Sequence, residues 1–302
     1  MSGDLSPSAR LALGTVQMGL PYGVMNGREP IDRGAIPEIL RLAWASGIDM
    51  LDTEAGYGDA EQRIGEAKPK NALFDVISKT PGLEPLNADE TKLRAVSDGV
   101  QRSLDQLRID CLAGLLVHQA GDLLGSIGHR LFDELSRLKA RNVVRKIGVS
   151  VYDPDTLTAI VDRFPVEIVQ LPLNVLDQRF ARTGVIFELA RKGIEIHVRS
   201  VFLQGALIAD AAHLPAAIAK AGDSISHFQK NAKQQDLSPV EAALSFVNQC
   251  EGVRRIVVGV DSSAHLRDIV AAFEKARAVS FDGAGLSIDD LEIVDPRRWG
   301  VA

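Results

Sequence analysis

The sequence predicts an α/β fold, a closed (β/α)8 TIM barrel, and three observations carry that prediction. Eight short apolar runs alternate with longer amphipathic stretches along the 302-residue chain, the pattern of repeated βα units on a parallel sheet. Eight such units favour closure into a barrel over an open sheet. No linker or break in composition divides the chain, so residues 1–302 read as one barrel domain of ordinary size.

The strand candidates are RLALG (10–14), IDMLD (48–52), FDVIS (74–78), CLAGLLV (111–117), KIGV (146–149), VEIVQL (166–171), IEIHV (194–198) and RRIVVG (254–259). Helices are expected at AIPEILRLAWASG (35–47), DETKLRAVSDGVQRSLDQLR (89–108), HRLFDELSRLKARN (129–142), DPDTLTAIVDRF (153–164) and VIFELARKG (185–193), where apolar residues recur at i, i+3 and i+4. Asp155 sits near a helix start, and Gly47 and Gly193 stand where a left-handed cap is wanted. The stretch 214–250, before the eighth strand, is long enough for two helices. The tail from about residue 286 is expected to fold back over one end of the barrel, because Pro296, Arg297 and Trp299 are more substantial than a frayed end requires.

A hydrophobic content of 46% with 25% charged residues suits a chain with a large core. The net charge of -6 gives no broad basic field for nucleic acid or anionic membrane. The start, MSGDLSPSAR, is polar and unlike a secretory signal, and no apolar run approaches membrane-spanning length. A cytoplasmic protein is expected. Cys111 and Cys250 are far apart with no Cys or His at metal-ligand spacing, so neither a disulfide framework nor a metal site is expected, and both read as small buried apolar side chains.

In such a barrel the C-terminal strand ends face one mouth. This chain places Asp52, Lys79, His118, Ser150, Gln170 and Arg199 there, on six consecutive strands. Asp52 opposite Lys79 makes an ion pair, and a cationic Lys79 beside the phenol of Tyr57 would draw its pKa down from about 10 toward neutrality. His118 can hydrogen-bond a substrate carbonyl. A proton donor with neither metal nor base-activated nucleophile needs an external source of electrons, which a nicotinamide supplies as hydride.

The segments LALGTVQMG, DTEAGYG, ISKT, LLVHQ, RKIGVS, VQLPLN and VVGV occur in the order and near the spacing of one family. On them the chain resembles an aldo-keto reductase over nearly its whole length. The resemblance implies a catalytic tetrad of Asp52, Tyr57, Lys79 and His118, with Tyr57 as general acid in reduction and general base in oxidation. It puts Ser150 and Gln170 at the nicotinamide carboxamide, and Arg199 where many members stack an aromatic ring. Ser200, Gly259, Asp261, His265, Arg267 and Asp268 are the further cofactor contacts it implies. NADP(H) is favoured by family habit and NAD(H) stays open, since Gly259 and His265 occupy positions that are basic in some branches and Asp261 could accept from a ribose hydroxyl.

Three departures stand out. Val151 follows Ser150 where Asn is common, Arg199 replaces an aromatic ring, and a first strand starting at about Leu11 leaves no room for the N-terminal β-hairpin of many relatives. The implied partner is a small carbonyl or alcohol substrate, an aldehyde, ketone or sugar, walled by Tyr22, Met25 and Trp299, in a monomer or small homo-oligomer. Two other classes stay in view. One is a nicotinamide-binding, redox-sensing subunit with little turnover; the other is a Schiff-base aldolase using Lys79, which a protonating Asp52 disfavours.

Overall fold

The computed structural model describes residues 7–25, 29–83 and 90–299. Eight parallel strands close into a barrel in chain order: β1 (Leu11–Gly14), β2 (Met50–Asp52), β3 (Asp75–Lys79), β4 (Gly114–Val117), β5 (Ile147–Ser150), β6 (Ile168–Pro172), β7 (Glu195–Arg199) and β8 (Val253–Gly259). The ring closes through β1 and β8, with Gly14 opposite Gly259. The helices are α1 (Ile36–Ala45), α2 (Ala60–Ala67), α3 (Glu90–Leu107), α4 (Gly121–Leu124), α5 (Gly128–Ala140), α6 (Pro154–Val161), α7 (Arg179–Arg182), α8 (Val185–Arg191), α9 (Gly222–Gln234), α10 (Pro239–Asn248), α11 (Ser263–Ala276) and α12 (Leu291–Val294). None is long and apolar enough to cross a membrane.

Local chemistry sets the helix boundaries. Asp153 caps α6 by accepting from Thr156 N–H at 2.8 Å, which places Asp155 in the first turn. Ser238 and Glu241 close a reciprocal capping box on α10. Gly47 and Gly193 leave α1 and α8 in the left-handed region. The stretch 214–250 holds α9 and α10, preceded by a 3-10 turn at Ala216–Ala221.

Successive strand side chains point to opposite faces, and the core divides accordingly. Leu11, Leu13, Leu51, Val76, Leu115 and Val117 pack outward against the helices, while Ala12, Met50, Ile77, Leu116 and Ile168 form a smaller cluster on the alternate positions, inside the barrel. Gly148 keeps that interior open, because a Cβ there would stand 2.5 Å from both Ile168 O and the Leu116 side chain.

No hairpin precedes β1 among the described residues. A 3-10 turn, Pro7–Arg10, lies there, held by Arg10 to Asn248 Oδ1 at 2.7 Å and Val253 O at 2.8 Å, and by Arg255 to Ala9 O. The tail folds back toward the other end: Ile288 N–H donates to Leu176 O at 2.8 Å, and Arg297 lies over the ring of Tyr152 at 3.6 Å. Cys111 and Cys250 are free thiols, each only partly buried rather than the buried apolar side chains expected, since both fall in the connections between a helix and the next strand.

Candidate active site

One cavity of about 300 Å³ opens at the C-terminal strand ends. Asp52, Tyr57, Lys79 and His118 all line it, with Ser150, Gln170 and Arg199. Asp52, Lys79, Ser150 and Arg199 are the last residues of their strands and His118 follows β4 by one, so the mouth is a direct product of strand length.

Lys79, 4% exposed, places Nζ 2.7 Å from Asp52 Oδ1, 2.9 Å from Thr53 O and 3.5 Å from the Tyr57 hydroxyl. Gln170 Nε2 donates to the other Asp52 oxygen at 2.6 Å, and Ser150 Oγ donates to Gln170 Oε1 at 3.4 Å. Both carboxylate oxygens are therefore engaged. Such a buried pair is maintained only where hydrogen bonds complete its solvation, as they do here. Burial disfavours the charge of Lys79, but Asp52, Tyr57 and Glu54 together hold its pKa above the usual lysine value.

Tyr57 is set by a tight turn. Its N–H donates to Glu54 O at 3.0 Å, and its own carbonyl accepts from Ala60 N–H at 3.1 Å at the start of α2. Gly58 follows with φ 58°, and Gly19, from the loop after β1, lies so close that a Cβ would stand 1.9 Å from Tyr57 O. Glycine is required at both positions, for conformation at one and for space at the other. Burial raises the phenol pKa above its usual value; Lys79 lowers it but does not offset burial, to which Asp52 and Glu54 add. The sequence-based expectation of a phenol drawn down toward neutrality is thus corrected. Desolvation outweighs a cation that Asp52 already neutralises.

His118 Nδ1 lies 2.8 Å from Oε1 of Glu54, a buried carboxylate on the loop after β2. Sequence reading passed over Glu54, although it stands inside DTEAGYG among small residues where a charge is out of place. Gln17 was also missed: it lines the cavity with Oε1 buried and unpartnered, and a Cβ on Gly259 would stand 2.5 Å from its Nε2. The third is Tyr152, which lines the cavity between two guanidinium groups, Arg199 at 3.9 Å and Arg297 at 3.6 Å from its centroid.

Of the remaining expected residues, Ser200, Gly259, Asp261, His265 and Tyr22 line the same cavity. Ser200 has φ 60° and begins a tight loop that also holds Leu203 and Gln204 at positive φ. Gln204 ties that loop to the one after β1, accepting from Val24 N–H at 3.1 Å and donating to the Tyr22 hydroxyl at 3.3 Å. Met25 is partly buried against the main core.

Three expected residues do not join them. Arg267 reaches across to Glu38 on α1 at 2.6 Å, because its position on α11 turns it outward; its neighbour Asp268 is exposed on the same helix. Trp299 is buried, with Nε1 donating to Glu292 O at 3.2 Å, so its ring closes the tail's own turn and does not wall the cavity. Among the described residues no cluster of His, Cys, Asp or Glu could hold a metal ion.

The model of the Aldo/keto reductase family matches residues 10–280. Pyridoxal 4-dehydrogenase from Microbacterium luteolum is 24% identical over 320 residues, spanning 88% of this chain and 90% of that protein. The 6-dehydroglucose reductase from Novosphingobium aromaticivorans is 26% identical over 50% of this chain and 51% of its own length. Among solved structures, the holo form of an aldo-keto reductase from Bacillus halodurans superimposes with a TM-score of 0.70 at 18% identity, covering 89% of this chain and 90% of that one. An aldo/keto reductase from Klebsiella pneumoniae in complex with NADP and acetate gives 0.65 at 19% identity, over 91% and 87%. The barrel, the strand-end cluster and the family match agree, and the chain belongs to the aldo/keto reductase family.

Proposed function

We propose that this chain is an NAD(P)-dependent oxidoreductase that reduces the carbonyl of a small aldehyde, ketone or sugar to an alcohol, or runs the reverse reaction. The observation that carries the reading is the Tyr57 hydroxyl 3.5 Å from a buried, Asp52-paired Lys79 in one cavity with His118. The relatives that reduce or oxidise such groups, and the NADP-bound neighbour, support it.

When bound, the nicotinamide supplies or accepts the hydride. Tyr57 holds a proton at its hydroxyl for the carbonyl oxygen, and its raised pKa keeps that proton in place for reduction. Lys79 faces the phenolate that forms and limits the charge developed there. Asp52, gripped by Lys79 and Gln170, fixes the lysine. His118 orients the reacting oxygen.

Ser150, Gln170, Arg199 and Ser200 are the groups we assign to the nicotinamide end, and Gly259, Asp261 and His265 to the far end of the dinucleotide. The cavity fits such a ligand in two respects: Gln17 Oε1 is a buried acceptor in need of a donor, and Gly259 leaves its wall without a side chain. NADP(H) is the favoured form. With Arg267 engaged by Glu38 and Asp268 outside the cavity, His265 is the basic residue of this group that lines the cavity and would be left to meet a 2'-phosphate, so NADH binding is expected to be measurable as well.

Fluorescence titration of the wild type and Y57F with NADPH and NADH tests this. Saturable binding to both proteins is expected, with turnover of a small aldehyde reduced about 100-fold or more in Y57F. Absence of binding by either nucleotide overturns the reading, and full turnover in Y57F removes Tyr57 as the proton donor.

A further inference from the structure

Behind the cavity wall, in contact with the lining residue His118, lies a charged group with no part in the chemistry above, Glu54. It is 8% exposed and points Oε1 at Nδ1 of His118 from 2.8 Å, while its Oε2 is buried without a hydrogen-bond partner among the described residues. The niche is shaped for it: a Cβ on Gly56 would stand 3.0 Å from Oε1. The other contact of His118, from its backbone N–H to Thr80 Oγ1 at 3.4 Å, leaves the ring free to be set by Glu54.

A carboxylate only accepts, so the hydrogen between the two groups sits on Nδ1. A neutral imidazole carries one hydrogen. With it on Nδ1, Nε2 on the other side of the ring has a lone pair and nothing to donate. The charged and titratable groups around the ring are Asp52, Tyr57 and Lys79 in the same cavity and Asp122 on α4. Lys79 is committed to Asp52 and Thr53 O, and Asp122 Oδ2 accepts from Leu83 N–H at 3.1 Å. Glu54 is the group hydrogen-bonded to the ring.

We propose that Glu54 is a positioning residue that fixes His118 as its Nδ1–H tautomer, so that the neutral ring accepts from a substrate hydroxyl and only the doubly protonated ring donates to a substrate carbonyl. This rests on the reading that His118 faces the reacting oxygen. In reduction, hydride adds to the carbonyl carbon and the Tyr57 proton goes to the oxygen; His118 keeps both its protons and contributes one hydrogen bond. In oxidation, the alcohol hydrogen points at Nε2 before it passes to the Tyr57 oxygen. The same ring serves the two directions in two protonation states.

The first test needs no cofactor. In 15N-histidine-labelled protein, with the His118 signals assigned by their loss in H118Q, the neutral ring is expected as Nδ1–H in the wild type and in E54Q, whose amide oxygen still accepts. In E54A it is expected to revert to Nε2–H, the form an unconstrained histidine prefers. An Nε2–H ring in the wild type, or the same tautomer in wild type and E54A, overturns the proposal. The second test is the pH profile of kcat/KM for reduction. The wild-type and E54A profiles should differ in shape, because a neutral Nε2–H ring donates to a carbonyl and a neutral Nδ1–H ring does not, and loss of the Glu54 anchor should slow E54A by about 10-fold or more at its best pH. Superimposable profiles overturn the proposal. A wild type that turns over no carbonyl sinks the oxidoreductase reading instead, and the tautomer measurement still decides the role of Glu54.

Discussion

Gln170 donates its side-chain amide to Asp52 Oδ2 at 2.6 Å while Lys79 holds Oδ1 at 2.7 Å. A residue assigned to the cofactor is thereby joined to the pair that faces Tyr57. Replacing Gln170 with Leu leaves one oxygen of a buried carboxylate unpartnered, at a cost of about 2 kcal/mol. Urea unfolding should record that loss with an unchanged m-value. A Q170L protein as stable as the wild type would mean that Asp52 finds another donor.

The Asp52–Lys79 pair is a second case where one partner cannot go alone. K79M strands a carboxylate that is 6% exposed, and a loss of about 3–5 kcal/mol is expected. D52N in the same chain removes that charge, so the double variant should be more stable than K79M. A double-mutant cycle measures the coupling. Additive losses would show that the pair does not act as a unit.

How much of this was legible in the sequence follows from what each signal encodes. A barrel strand is covered on both faces, so it must be an apolar run, and the eight runs stand out; its last residue meets the mouth, so Asp52, Lys79 and Ser150 stand out as well. Glu54, Gln17 and Tyr152 do not, because a polar or aromatic residue in a loop carries no period that says which way it faces. Arg297 is bulky enough to notice, yet its partner Tyr152 is brought to it only by the closed barrel. Trp299 shows the opposite error. An aromatic ring in a tail reads the same whether it walls a cavity or fills its own turn, and here the turn takes it.

At the far end of the barrel, β7 carries a group whose ionisation should govern acid stability. His197 at 3.6 Å and Lys146 at 2.6 Å hold the Glu195 carboxyl down at about 2, against the opposing effect of burial. A carboxyl with a depressed folded pKa stabilises the fold above its unfolded pKa, near 4.5, and loses that contribution as pH falls toward 2. E195Q should therefore be less stable than the wild type at pH 6 and close to it near pH 2. Denaturation midpoints across this range provide the check, and a constant gap between the two proteins would exclude Glu195 as the source.

The tail is joined to the cavity through one ring. Tyr152 lies between Arg199, which lines the cavity, and Arg297, which is aligned by Asp295 through Nε to Oδ1 at 2.9 Å. Guanidinium on an aromatic face contributes about 0.5–1 kcal/mol at a partly exposed site, and R297A also leaves Asp295, a buried carboxylate, without its cation. The total expected loss is about 2 kcal/mol. Lysine restores charge but not the flat stack, so R297K should recover only part of it. Because Tyr152 also supports Arg199, the same variants should raise KM or weaken nucleotide binding more than they lower kcat. Limited proteolysis separates the two effects: faster cleavage beyond residue 286 in R297A, with R297K intermediate, reports the tail, whereas a cleavage rate equal to the wild type would mean that the stack does not anchor it.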